Sequence, residues 1–353
     1  MIVLHLHTAR EWTAREDQLR ILMRGLARSG VEQTCFCRAG GGLEKRLVAE
    51  GLPIEPIRWG GMSIGVRRML HRRFRTADVV HVHDDVALEL AALPARLRKR
   101  PLVVTRPDAR PVKPAVYQKA TQIIAISAFV GQSLIESGIA ADRIRVIHSA
   151  IDLDDVRGLQ PASPSFRDRM GIEADRFVAA TVGALLPDEN QKLIPRAAAQ
   201  ERRVVWVVVG DGPERAAIEA GVSAHGVMAN VRMAGAPTDP RPYFHEFDVF
   251  VLAARGKPFG LRILDAMALD VPVIAPDEAG PGEILGPVHA NTGISLYPPG
   301  DAVALARAVR RVRDEPGLAG RMREAQRRRV EEFGVERMVE KALALYREVA
   351  ETA

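Results

Sequence analysis

Aromatic side chains are scarce, at 5% of the 353 residues. A surface that stacks successive bases needs many more rings, so a single-stranded nucleic-acid platform is excluded. No zinc finger or other nucleic-acid motif is present either. Cysteine is rarer still. Cys35 and Cys37 fall two apart on a predicted strand, on one face and too close for an ordinary disulfide. They read as reduced packing residues of a cytosolic protein. Long hydrophobic runs are also missing. The longest, such as VVWVVV from Val204, fall far short of the roughly 20 residues that cross a bilayer. The chain enters its first strand, IVLHLH, at residue 2, so no signal peptide is expected.

What is present fits a soluble two-domain chain. One core rarely serves 353 residues, so two domains are expected. A hydrophobic share of 47% with 27% charged is ordinary for globular proteins. The net charge is +6, with the excess carried mainly by arginine. That balance suits anionic partners: nucleotides, acidic glycans or an anionic membrane face.

Strand and helix patterns alternate along the whole chain, which predicts parallel, doubly wound sheets. IVLHLH, VEQTCFC, ADVVHVHDD, PLVVT and TQIIAIS read as strands of a first half. Leu19, Leu22, Met23 and Leu26 recur at helical spacing between the first two,. PASPS at 161–165 is the best linker. The pattern then restarts with FVAATVG, VVWVVVG and NVRMAG. FGVERMVEKALALYREV is a final amphipathic helix. The domains are therefore set at 1–163 and 164–335, followed by the terminal helix 336–353.

The most informative stretch is FVLAARGKPFGLRILDAMALDVPVIAPDEAGPGEIL, beginning at Phe250. It predicts a strand, a glycine turn, a helix from Leu261, a second strand, and a loop over EAGPGE. In a βαβ unit of this kind the first amides of the helix lack partners and make an anion site suited to a pyrophosphate. Asp265, Glu278 and Glu283 are carboxylates able to accept bonds from sugar hydroxyls. The stretch by itself points to a nucleotide sugar.

The same residues resemble the donor-site signature of GT-B glycosyltransferases of the retaining family GT4. The likeness rests on Pro258-Phe259-Gly260, Asp265-Ala266-Met267-Ala268, Pro272-Val273-Ile274-Ala275 and Ala279-Gly280-Pro281-Gly282-Glu283. It departs at Lys257, where the family has glutamate, at Asp265, one methylene shorter than the family's glutamate, and at Asp270, where the family has a helix-ending glycine. HSAIDLDDV and VGDGPER extend the likeness over essentially the whole chain. It implies an α/β GT-B fold: two Rossmann-like domains with parallel sheets facing a cleft, and the last helix crossing back to the first domain.

The resemblance also implies roles. Thr13 and Ala14 stand where a Gly-Gly pair contacts the donor phosphate and sugar. His83, in His81-Val82-His83-Asp84, is placed beside the transferred sugar. The phosphate-binding segment is Gly183-Ala184-Leu185-Leu186-Pro187-Asp188-Glu189-Asn190-Gln191-Lys192. Ala184 and Glu189 replace its arginine and lysine, so Lys192, on about the same helical face as Glu189, and Lys257 are left to supply cations to the leaving diphosphate. The candidate catalytic residues are His83, Lys257 and Asp265. The donor-binding set is Thr13, Ala14, Gly183, Lys192, Gly210, Phe259, Gly260, Leu261, Gly280 and Glu283. GDGPER taken alone lacks the third glycine of a dinucleotide fingerprint, having Arg215, and reads as a helix-capping turn.

The expected function is retaining transfer of a sugar from a nucleotide-diphosphate sugar to a cell-surface glycan or lipid-linked acceptor, with no metal or other cofactor. No DxD motif with a metal role is evident. The alternative is a catalytically impaired homologue that binds or scaffolds. A sugar-nucleotide epimerase of the same architecture would need a general acid–base pair that cannot be located. The arginine runs RRMLHRRFR and RLRKR suggest a cytoplasmic protein peripheral to an anionic membrane face, set against solvated helix faces.

Overall fold

The computed structural model describes residues 1–58 and 64–352. The chain forms two compact units, one of Met1–Ala150 with Gly334–Ala353 and one of Ile151–Phe333. The change of unit precedes the Pro-Ser-rich stretch that composition marks as a linker. That stretch is already fastened into the second unit: Ser165 Oγ and the Phe166 amide donate to Glu246 at 2.6 and 2.7 Å.

The first unit holds a seven-stranded parallel sheet: β1 (Ile2–His7), β2 (Glu32–Arg38), β3 (Ile54–Ile57), β4 (Val79–Val82), β5 (Leu102–Arg106), β6 (Gln122–Ala125) and β7 (Ile144–Val146). Their order is β3-β2-β1-β4-β5-β6-β7. β4 is buried along its whole length, as strands covered by helices on both faces must be, and its apolar run follows from that. Cys35 and Cys37 on β2 are buried free thiols. The chain winds outward from β1 in one direction and resumes at β4 in the other, so the switch point lies between the carboxyl ends of β1 and β4.

The helix Val335–Glu351 belongs to this unit. Its stripe of Val335, Met338, Val339, Ala342, Leu345, Tyr346 and Val349 packs with Val3, Leu22, Leu26 and Val79. A Cβ on Gly25 would overlap Val339, so glycine is what lets the two helices approach,. Each large side chain buried here stabilises by about 1.5–3 kcal/mol.

The second unit holds β8 (Val178–Val182), β9 (Val205–Val209), β10 (Val231–Gly235), β11 (Val249–Val251), β12 (Val273–Pro276) and β13 (Leu296–Tyr297). The order is β10-β9-β8-β11-β12-β13, again parallel. Trp206 on β9, Phe250 on β11 and Phe244 before it are fully buried. The switch point here lies between β8 and β11.

Candidate active site

The loops after β8 and β11 meet at that second switch point, where an open α/β sheet binds ligands. The Arg255 amide donates to the Asp188 carbonyl at 2.9 Å. Asn190 Nδ2 donates to the Ala253 carbonyl at 3.1 Å. Lys257 Nζ forms an ion pair with Glu189.

Glycines let the walls close. A side chain on Gly210, at φ +150°, would overlap the Gly183 carbonyl. One on Gly280 would overlap the backbone of Phe259. The Gly280 amide donates to the Lys257 carbonyl at 3.0 Å, and the Gly256 amide to Glu278 Oε1 at 2.9 Å. Gly210, Gly183, Glu189, Lys257, Gly280 and Phe259 thus form one continuous set of contacts, the cradle. Gly260 caps the helix Leu261–Ala268 with no side-chain bond to its first amides, so Leu261 opens the helix as the spacing predicts. Gln191 is a member that sequence reasoning passed over. It is buried, its Nε2 donates to the Ala184 carbonyl at 3.1 Å, and its Oε1 has no protein partner.

Two expectations need correction. EAGPGE is not a loop: the helix Ala279–Thr292 begins there. Pro281 falls in the first turn, where a missing N–H costs nothing. Lys192 does not share a helical face with Glu189. Pro187–Glu189 is a short 3-10 turn, Asn190 is left-handed at φ 54°, and the next helix starts at Leu193. Lys192 pairs instead with Glu214. Thr13 is a helix cap. Its hydroxyl and amide both donate to Glu16 Oε2, at 2.5 and 2.7 Å, in a capping box over Ala14–Arg28,. Ala14 beside it is exposed.

Asp265 is buried, 2.8 Å from Arg262 Nη1. Burial raises its pKa in spite of Arg262 and Arg241. Glu283 is half-buried on the Ala279–Thr292 helix, and its carbonyl accepts from Arg329 at 2.9 Å. Ala279 itself is left-handed, at φ 49°. An L side chain there costs about 1–2 kcal/mol. Ala279→Gly should therefore stabilise the protein by roughly 1 kcal/mol, after the greater freedom of glycine in the unfolded chain is counted; chemical denaturation checks this. Asp270, at φ 59°, departs in the same way but is held by Arg327 at 2.5 and 2.8 Å.

His83 lies in the first unit, among histidines that periodicity does not reveal. Parallel register sets His5 level with His81. His5 Nδ1 and His83 Nε2 are 3.1 Å apart. His81 bonds Tyr346 Oη and Thr105 Oγ1, both at 2.7 Å. One ring nitrogen from each of His5, His81 and His83 falls within 4.8 Å of the others, a spacing at which three such rings can bind a metal. Here the nitrogens of His81 are engaged by hydroxyls. Burial lowers the His5 pKa to about 4 and those of His81 and His83 well below the usual value, so the three rings are neutral. Beside them, burial opposes charge on His7, but Asp84 and Glu16 outweigh it and raise its pKa to about 9. Asp84 and Glu16 lie 3.1 and 2.8 Å from its ring.

Comparison with known proteins gives matches over both units. The family model "Glycosyl transferases group 1" matches residues 163–329, and "Glycosyltransferase Family 4" matches residues 16–155. The lipopolysaccharide core biosynthesis glycosyltransferase LpsD of Rhizobium meliloti is 26% identical over 327 residues, 91% of each chain. D-inositol 3-phosphate glycosyltransferase 1 of Catenulispora acidiphila is 27% identical over 315 residues, 78% of this chain and 73% of that one. Among solved structures, Anabaena HepE in complex with UDP superposes with a TM-score of 0.84 at 21% identity, covering 99% of this chain and 100% of that one.

Proposed function

The chain belongs to the GT-B glycosyltransferases of family GT4, the glycosyl transferases group 1, and we propose that it moves a sugar with retention from a nucleotide-diphosphate sugar to a cell-surface glycan or lipid-linked acceptor. The observation that carries this reading is the cradle at the β8/β11 switch point. Glycines there let the loop backbones approach closely, the helix start at Gly260 has no side-chain cap, and Lys257, three residues before it, pairs its ammonium with Glu189. As the sugar leaves, charge grows on the diphosphate. Lys257 and the first amides of Leu261–Ala268 stabilise it more in the transition state than in the ground state. Asp265 and Glu283 are proposed to hold donor hydroxyls, and neutral His83 to hydrogen-bond the transferred sugar. No metal enters this scheme, and hydrolysis is expected to be unchanged by EDTA.

A thermal-shift panel of UDP-, GDP- and ADP-sugars tests the reading, followed by a hydrolysis assay on each hit. One donor should raise the melting temperature and be hydrolysed. A panel with no shift at millimolar concentration would sink the donor reading. The impaired-homologue reading has its own observation: Lys257 and Lys192 are both tied to carboxylates, Glu189 and Glu214. Under it a donor binds and is never turned over.

Membrane association is proposed on the same terms. Among the described residues no helix is long and apolar enough to cross a membrane. The helix Ile64–Arg73 buries Val66 and Leu70 and exposes Arg68 and Arg72. The helix Asp85–Arg98, packed beside it, exposes Leu93 and Leu97 with Arg96. Arg73 is taken by Glu55 at 2.6 Å. Binding to phosphatidylglycerol vesicles should weaken with salt and fall several-fold in Arg72→Glu. Equal binding to neutral vesicles, or none, would leave these as solvated helix faces.

A further inference from the structure

The loop after β5 carries a cluster that the donor cradle does not use. Asp108 is buried, and three guanidiniums converge on it. Arg106 Nη2 lies 2.5 Å from Oδ1, while Arg15 Nη2 and Arg110 Nη2 lie 2.7 and 2.8 Å from Oδ2. The Arg110 amide donates to Oδ1 at 3.2 Å, so the carboxylate has no capacity left for a ligand. Arg106 is buried and spends its donors inside the protein, on Tyr117 Oη at 2.9 Å and on the Asp108 and Arg110 carbonyls at 3.0 Å. Its remaining ion pair is with Asp85 at 3.3 Å. It fixes the shape of the loop.

Arg15 and Arg110 differ from it. Their side chains are 47% and 71% exposed, and each gives Asp108 a single terminal nitrogen out of a five-donor fork. Two exposed arginines on one carboxylate add little stability and repel each other. Among the described residues the three guanidinium charges pair with two carboxylates, Asp108 and Asp85, which leaves one positive charge in excess. Arg15 stands on the first turn after the β1 loop and Arg110 on the loop after β5, at the carboxyl edge of the sheet that contains the β1/β4 switch point,.

We propose that Arg15 and Arg110 form a subsite for an anionic group, a phosphate or carboxylate, carried by the acceptor, with Arg106 and Asp108 as its rigid backing. The planar guanidinium fork matches both anions in bidentate geometry. Calling the ligand an acceptor rests on the glycosyl-transfer reading; the anion site does not.

The test uses the full chain and three probes at matched ionic strength: glucose 6-phosphate, glucuronate and glucose. Each is titrated against protein with ¹⁵N-labelled arginine and followed by NMR of the side-chain Nε–H groups. The expected result is saturable millimolar binding of one or both anions, weakened by salt, and none of glucose. A response to glucose 6-phosphate alone assigns phosphate, and one to glucuronate alone assigns carboxylate; either supports the subsite. The Arg15→Gln/Arg110→Gln double variant should lose at least tenfold in anion affinity with its melting temperature unchanged, since both side chains are exposed. Glucose binding as well as the anions, or a double variant that keeps the anion response, would overturn the proposal. UDP titrated into the same samples reports on the second unit. Anion binding without UDP binding removes the donor reading and leaves the subsite standing; UDP binding without anion binding does the reverse.

Discussion

Lys257→Glu should weaken nucleotide-sugar binding by about a hundredfold or more. The substitution removes a charge-assisted bond to the diphosphate, about 1.5–3 kcal/mol. It also sets a second carboxylate against Glu189, whose side chain is only 13% exposed. At that depth like charges repel more strongly than at an open surface. Lys257→Ala removes the bond without the repulsion and should cost about 1–3 kcal/mol. Because Lys257 and Glu189 are partners, the double swap Lys257→Glu/Glu189→Lys should recover most of the loss, as it restores both the ion pair and one cation in the cradle. Calorimetry with the donor that gives the largest thermal shift measures all four proteins. Tighter binding by Lys257→Glu than by the unaltered protein, or a double swap no better than the single one, would show that this cation does not read the diphosphate.

The second large effect is acid instability of the first unit. A ring kept neutral by burial makes no difference while the pH stays above the ordinary histidine value. Below about 6.5 the unfolded chain binds protons that the folded rings refuse. Stability then falls until the pH reaches the folded pKa, about 4 for His5. The gap is worth about 3 kcal/mol for that ring alone, and His81 and His83 shift the same way. His7 has the opposite sign. Its pKa of about 9 gives stability that is fully present below 6.5 and lost as the pH rises through 9. Glu16, lowered to about 2 mainly because its bonds to His7 and Thr13 outweigh burial, loses its share only below the ordinary glutamate range. The first unit should therefore be most stable near pH 6.5–7. Hydrogen exchange of the β1 and β4 amides at pH 4.5, 6.5 and 9 localises the effect, and His5→Gln should flatten the acid limb. Equal protection at 4.5 and 6.5 would refute it.

The fold was legible because parallel, doubly covered sheets impose a pattern that survives in one dimension: apolar runs such as Val79–Val82 and Val205–Val209 separated by helical periods. The glycine turn before Leu261 was legible for the same local reason. Partnerships across sequence distance were not. Glu189 and Lys257 lie 68 residues apart, and nothing local to either one signals their ion pair. His5 meets His83 across 78 residues through strand register, which composition does not record. Local signals also misled where two rules competed. Gly and Pro in EAGPGE signal a turn, yet proline in a first helical turn is as favourable as in a loop. Spacing put Lys192 and Glu189 on one face, but Pro187 and left-handed Asn190 break the helix that spacing assumed.

The last helix has a consequence for synthesis. Tyr346 reaches back 265 residues to bond His81, so the first unit is interrupted in the chain by the whole of the second. A ribosome adding roughly 5–20 residues per second needs on the order of ten seconds or more to deliver the closing segment. Through that interval the faces of Val3, Leu22, Leu26 and Val79 lack their cover. The second unit, continuous in sequence, is free to fold first. The unit begun earliest is the last completed, and it is the one that a nascent-chain holdase would have to shield.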